Sequence, residues 1–157
     1  MHSHILLAQF FTHTHIPLMN KQLTLNHPAI WILVVVYQLV SVLWYTIFND
    51  VWMQLNGFTE SDFTETSPIP FVVAIVAAAG LYYAMGIIFV RMGIDNPRDG
   101  ALTAALCWLG FLFLQVLTQN LFTFRPWQLA LVDEGATFVS FVVGGVLLGA
   151  WHKYRKA

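Results

Sequence analysis

Two adjacent carboxylates, Asp133 and Glu134, lie inside an apolar stretch that runs from Trp127 to Trp151. An ionisable side chain immersed in hydrocarbon is costly, which makes each a candidate for chemistry. A carboxylate there can bind a cation, relay a proton or hold a small polar solute. Counting six or seven residues inward from Trp127, at about 1.5 Å per residue, puts the pair roughly 10 Å below the nearer boundary, shallow rather than central. Ser41 and Gln115 reach about the same depth by the same count on their own stretches. Tyr37, Ser41 and Tyr45 repeat every four residues, with Gln38 adjacent. Gln115, Thr118 and Gln119 share a helical face, and Asp133, Thr137, Ser140 and Gly144 follow i, i+4, i+7, i+11. Such stripes build either an outward-opening pocket from Asp133, Glu134, Gln115, Gln119, Ser41, Tyr45 and Thr137, or a set of hydrogen bonds between helices, since the bilayer interior offers no water. The structural reading weighs more, because a helix dipole favours carboxylates near its N-terminus. Neither reading requires an enzyme.

The sequence has no GxSxG elbow, no P-loop, no HExxH and no dinucleotide fingerprint. No catalytic residue, metal site or cofactor is expected; an enzyme acting on lipid or quinone would have only Glu134, Asp133 and Tyr82 to use. His27 and His152 share one membrane edge, where haem ligation needs a pair at equal depth and where histidines are ordinarily solvated. Tyr82, Tyr83 and Trp108 can stack on a lipid tail or a flat cofactor, although aromatic-rich spans more commonly serve as core or lipid contact. Cys107 is the single cysteine, which excludes an intramolecular disulfide and suits a small core filler. Seven Lys+Arg against eight Asp+Glu leave no basic face for phosphates, so nucleic acid is not an expected partner. Residues 1–24 carry His2, His4, His13 and His15, but HxH spacing without a cysteine or carboxylate does not make a metal site. That segment reads as a loosely attached or partner-contacting extension, or as an upstream start with Met19 as the usual beginning.

These groups are carried by a chain that is 58% hydrophobic and 10% charged, with mean hydropathy +0.68. A soluble domain carries about a quarter charged residues, so this one cannot cover itself with a water-compatible surface. Four stretches reach the roughly 20 apolar residues a membrane helix needs: 28–48, 70–90, 100–122 and 127–151. Pro28, Pro70 and Pro126 stand where a helix can start without losing a needed N–H. Trp31, Trp44, Trp127 and Trp151 lie near span ends, where indoles favour the membrane–water boundary. The expected fold is all-α, an integral membrane four-helix bundle formed by residues 25–157. Six of the seven basic residues, Lys21, Arg91, Arg98, Lys153, Arg155 and Lys156, fall on one side; Arg125 falls on the other with Asp50, Glu60, Asp62 and Glu65. Both termini are therefore expected in the cytoplasm, with the chain in the cytoplasmic (inner) membrane. In the first outer loop, Val51, Trp52 and Leu55 have helical spacing, Asn56-Gly57 makes a turn, and Thr59-Glu60-Ser61-Asp62 resembles a helix start. A short interfacial helix is expected there. Gly145 and Gly149 form GxxxG, and Gly80 with Ala84 is a looser small-residue pair. Both fit helix packing within the bundle, or a dimer or docking face.

Leu43-Trp44-Tyr45 leading to Trp52-Met53 and Gly57-Phe58-Thr59-Glu60, then Trp108-Leu109-Gly110-Phe111, then Leu131-Val132-Asp133 with Gly135, Gly149 and Trp151, together resemble the membrane family catalogued as domain of unknown function 1761 (DUF1761). The likeness covers about residues 25–153. It implies a small multi-span bacterial membrane protein and brings no activity, substrate or catalytic residue. Where the family pattern often has an aromatic after the glycine, this chain has Ala136. Small size, missing catalytic motifs and small-residue faces point to a non-catalytic assembly or accessory component of a homo-oligomer or a larger membrane complex, with lipid as its solvent. The alternative is a small proton, cation or polar-solute transporter or channel using a pocket around Asp133.

Overall fold

The computed structural model describes residues 21–63 and 67–156. The four N-terminal histidines and Glu65 lie outside the described residues. The chain runs as strand β1 (Lys21–Thr24), helices α1 (His27–Ile47) and α2 (Asn49–Asn56), a 3-10 turn (Glu60–Phe63), helix α3 (Ile69–Met92), helix α4 (Pro97–Phe122), helix α5 (Trp127–Ala150) and strand β2 (Lys153–Lys156). Helices α1, α3, α4 and α5 are long and apolar enough to cross a membrane, and their ends fall within three residues of the expected spans.

Local chemistry sets these boundaries. The Asn26 side chain accepts from the Ala29 N–H, with Pro28 in the first turn of α1, and the Asn96 side chain accepts from the Asp99 N–H at 2.9 Å ahead of α4, with Pro97 opening it. Gly57 ends α2 in the left-handed conformation, φ 70°, which realises the Asn56-Gly57 turn. After it the helix-start pattern at 59–62 yields only the single 3-10 turn. There the Thr59 N–H (2.7 Å) and hydroxyl (2.9 Å) both donate to Asp62 Oδ2, holding that exposed carboxyl below the usual aspartate range.

Helix α5 is the packing axis: 39% of its most apolar window is buried, against 17%, 22% and 11% for α1, α3 and α4. The core gathers Ile30 and Leu33 from α1, Ala78 and Tyr82 from α3, Ala104 from α4 and Phe141 from α5. Helices α1 and α4 lie against α5, and α3 leans mainly on α1. Between α3 and α4 runs an apolar groove, lined by Ala84, Met85, Ile88, Cys107 and Phe111 with Phe141 at its floor. Outward of the groove α3 has little to pack on, and Ile69–Val73 is exposed throughout.

Two features depart from the sequence reading. The first is a two-stranded antiparallel ribbon in which Lys21, Gln22, Leu23 and Thr24 pair with Lys156, Arg155, Tyr154 and Lys153. It joins the segment before α1 to the tail after α5, reinforced by the Asn26 amide donating to the Trp151 carbonyl at 2.8 Å. The second is a π turn inside α4, Trp108–Phe113, closed by the Leu114 N–H reaching the Leu109 carbonyl five residues back. A π turn inserts one extra residue, which rotates everything after it by about 100° relative to a regular helix. Burial records the shift. Gly100 and Ala104 face α5 before the turn, and continuing their phase would bring 111, 115 and 118 inward; instead Asn120 is buried while Phe111, Gln115 and Thr118 are exposed.

Candidate functional site

The N-terminal third of α5 collects polar hydrogens from α1, α2 and α4. Asp133 Oδ1 accepts from Trp52 Nε1 of α2 at 3.0 Å and from the Tyr45 hydroxyl of α1 at 3.5 Å. Trp44 Nε1 donates to the Val132 carbonyl at 2.8 Å, and Trp108 Nε1, at the start of the π turn, donates to the Glu134 carbonyl at 3.0 Å. Deeper along the helix, the Tyr37 hydroxyl lies 3.4 Å from Thr137 Oγ1, and the Tyr82 hydroxyl of α3 donates to the Ser140 carbonyl at 2.9 Å. Indoles and phenols suit this task because each carries one polar handle on a large apolar body, so it can bury its ring and still satisfy an acceptor.

These donors reach α5 because of its small residues. A Cβ built on Gly135 would stand 2.2 Å from Trp44 Cζ2, and one on Gly144 would stand 2.3 Å from Tyr82 Cε1. Each glycine is thus the berth of an aromatic ring that then bonds a neighbouring carbonyl. Trp44, expected at the membrane boundary, is instead turned inward into this berth. Over the top, Trp52 packs against Tyr45, Phe58 and Phe63 with ring centroids 5.5–6.2 Å apart, so α2 and the 3-10 turn close over Asp133.

The expected site residues divide accordingly. Asp133, Tyr45 and Thr137 come together through the bonds above. Glu134 is half-buried beside Trp108 and Thr137, with Oε2 buried and without a hydrogen-bond partner among the described residues. Ser41 is half-buried on α1. Gln115 and Gln119 do not join the cluster; both are on the exposed side of α4, with Thr118, whose hydroxyl bonds the Leu114 carbonyl at 2.7 Å. In their place α4 turns Asn120 inward, 5% exposed, with its Nδ2 unpartnered among the described residues. Ser140 is fully buried, and its Oγ likewise lacks a partner among the described residues.

The small-residue pairs also part company. Cβ atoms on Gly100 and Gly145 would each fall within 2.4 Å of the other's carbonyl oxygen, and one on Gly149 would lie 2.3 Å from the Asn96 oxygen. Gly145 and Gly149 are therefore the seam where α4 meets α5 inside one chain. Gly80 and Ala84 are exposed on α3, and nothing lies within 4 Å of a Cβ at Gly80.

At the opposite end, His27 Nδ1 lies 3.1 Å from the Tyr83 hydroxyl. Among the described residues no three His, Cys, Asp or Glu side chains converge as a metal site. Sequence reasoning passed over Trp52, Trp44, Trp108 and Asn120. The usable signal was the rule that a buried indole N–H needs an acceptor, applied to three tryptophans around a helix that carries two carboxylates.

Chemically, the arrangement clamps more than it opens: Asp133, a carboxylate in an apolar span, is met by donors from two other helices. No curated protein and no solved structure matches the chain. A family model described as "Protein of unknown function (DUF1761)" matches residues 28–149, well over half of the sequence, and the chain belongs to that family.

Proposed function

We propose that this protein is a non-catalytic membrane component that works by association, as a homo-oligomer or as an accessory subunit of a larger complex. The observation that carries the reading is the internal pairing of Asp133 with Trp52 and Tyr45. A carboxylate that relays protons or binds ions needs access to water, whereas this one fastens α2 and α1 to α5. Meanwhile the outer halves of α3 and α4 have broad faces without partners among the described residues. Purification in mild detergent followed by native mass spectrometry tests the proposal. An oligomer or a stoichiometric co-purifying subunit is expected; a strictly monomeric, partner-free particle overturns it.

Residues 25–157 form the membrane domain on this reading, with 1–24 an extension whose last four residues join the tail. The placement is the cytoplasmic membrane with both termini inside. It is supported by six basic residues on the side of the ribbon and by the ribbon itself, which holds the two ends of the membrane domain together.

One observation favours a second reading, a small proton, cation or polar-solute transporter. Glu134 Oε2 and Asn120 Nδ2 are buried polar atoms without partners, and such atoms are costly unless something pairs with them. Cation- or proton-dependent flux into liposomes that is lost in Asp133→Asn and Glu134→Gln, with the fold retained, would establish this reading. Flux unchanged by both would reject it.

A further inference from the structure

We infer that the outward face of α4 docks a second copy of this chain through amide-to-amide hydrogen bonds at Gln115 and Gln119. This rests on the assembly reading above and names its partner and its surface. Both glutamines are exposed on a membrane-length helix, and among the described residues neither side chain has a hydrogen-bond partner. Gln115 stands seven residues from the end of α4 at Phe122, about 10 Å along the axis and inside the hydrocarbon layer. Thr118, between them, satisfies itself on the Leu114 carbonyl, so the two amides are what this face leaves open. Lipid tails cannot bond an amide, and a primary amide left in hydrocarbon forfeits the hydrogen bonds that water would have given it.

The π turn makes this face. Without its extra residue, Gln115 would continue the inward phase of Gly100 and Ala104; after it, Gln115, Thr118, Gln119 and Phe122 are exposed together at i, i+3, i+4, i+7. That spacing is the seam of a helix pair, with Phe122, 81% exposed, at its end and three polar residues before it.

A second copy is the occupant that fits. Membrane insertion gives every copy the same orientation, so two α4 helices meet in parallel about a two-fold axis normal to the bilayer, and each residue meets its own counterpart at its own depth. A primary amide carries both donor and acceptor, so Gln115 against Gln115 and Gln119 against Gln119 are each self-complementary. A different protein would have to supply polar groups at both depths.

The test uses the full chain in vesicles of phosphatidylethanolamine and phosphatidylglycerol, in a Cys107→Ser background. Copper-phenanthroline oxidation is expected to cross-link Gln115→Cys and to leave Leu39→Cys, on the exposed face of α1, uncross-linked. Gln115→Leu/Gln119→Leu is expected to weaken self-association at least tenfold while its circular dichroism and unfolding midpoint match the wild type. An oligomer that survives this double substitution and cross-links through Leu39→Cys overturns the α4 surface and leaves the assembly reading standing. Loss of a different co-purifying subunit in the double variant overturns the second copy as occupant. A wild-type monomer overturns both.

Discussion

Replacing Gly145 by alanine is expected to force α4 away from α5. The added Cβ would stand 2.4 Å from the Gly100 carbonyl oxygen and 2.7 Å from Ala104 Cβ. Ordinary contact begins near about 3.5 Å, so the seam must open by roughly 1 Å, and both neighbours belong to a helix rather than to the tip of a flexible side chain. Overpacking of this kind costs about 1–3 kcal/mol. Alanine also gains about 0.5–1 kcal/mol over glycine within a helix, which complicates a single measurement. Gly80→Ala removes that complication, because nothing lies within 4 Å of its Cβ and it collects only the propensity gain. The difference between the two variants isolates the steric term, about 1–3 kcal/mol in favour of Gly80→Ala. The assay is unfolding by SDS in mixed micelles, followed by circular dichroism at several protein concentrations. If Gly145→Ala unfolds like the wild type while the oligomer disappears, the GxxxG face lies between chains and the intrachain seam is refuted.

Three further outcomes test the polar clamp and its cover. Trp52→Phe keeps most of the ring packing but deletes the 3.0 Å bond to Asp133, and is expected to cost about 1–2 kcal/mol. The cost should shrink in an Asp133→Leu background, and strict additivity in that double-mutant cycle would deny the coupling. Gly135→Ala is expected to destabilise by about 1–3 kcal/mol through the Trp44 ring, with part of the loss recovered by Trp44→Phe; no recovery would mean the ring is not what Gly135 accommodates. The 59–62 turn should respond to pH through Asp62, whose carboxyl the Thr59 donors hold low. A lowered folded pKa adds order that is complete above the unfolded aspartate value of about 3.9 and is lost as pH falls through the lower folded value. The Thr59 amide resonance should therefore stay unchanged from neutral pH to about pH 4 and move only in stronger acid, and Asp62→Asn should abolish that acid response. Loosening as pH rises would contradict the assignment.

The long helices were legible because lipid imposes a length and a composition that few other folds share, and because Pro28, Pro70 and Pro126 mark starts that tertiary packing has no reason to override. Asp133 was legible for the same reason, as a carboxylate in a greasy span. Its partners were not. Trp44 reads as a boundary indole until Gly135, ninety-one residues later, provides the berth that turns it inward. Gln115 and Gln119 were assigned to the polar cluster by carrying one helical period through α4, and Trp108–Phe113 spells an apolar run with nothing to announce a π turn. Past that turn both amides are exposed and Asn120 is buried. The ribbon was hidden differently: Lys-Gln-Leu-Thr and Lys-Tyr-Arg-Lys lack the apolar alternation of strands, and Lys21 pairs with Lys156 across nearly the whole chain.

The central claim is that Asp133 is closed off by donors from the same chain. The most direct measurement is labelling by a membrane-impermeant maleimide in intact proteoliposomes, using Cys107→Ser carrying either Thr137→Cys, one turn from Asp133, or Ser61→Cys in the loop between α2 and α3. Rapid labelling of Ser61→Cys with Thr137→Cys protected, until the protein is unfolded, is the expected result. Labelling of Thr137→Cys at a rate close to that of Ser61→Cys would put water at Asp133 and contradict the claim.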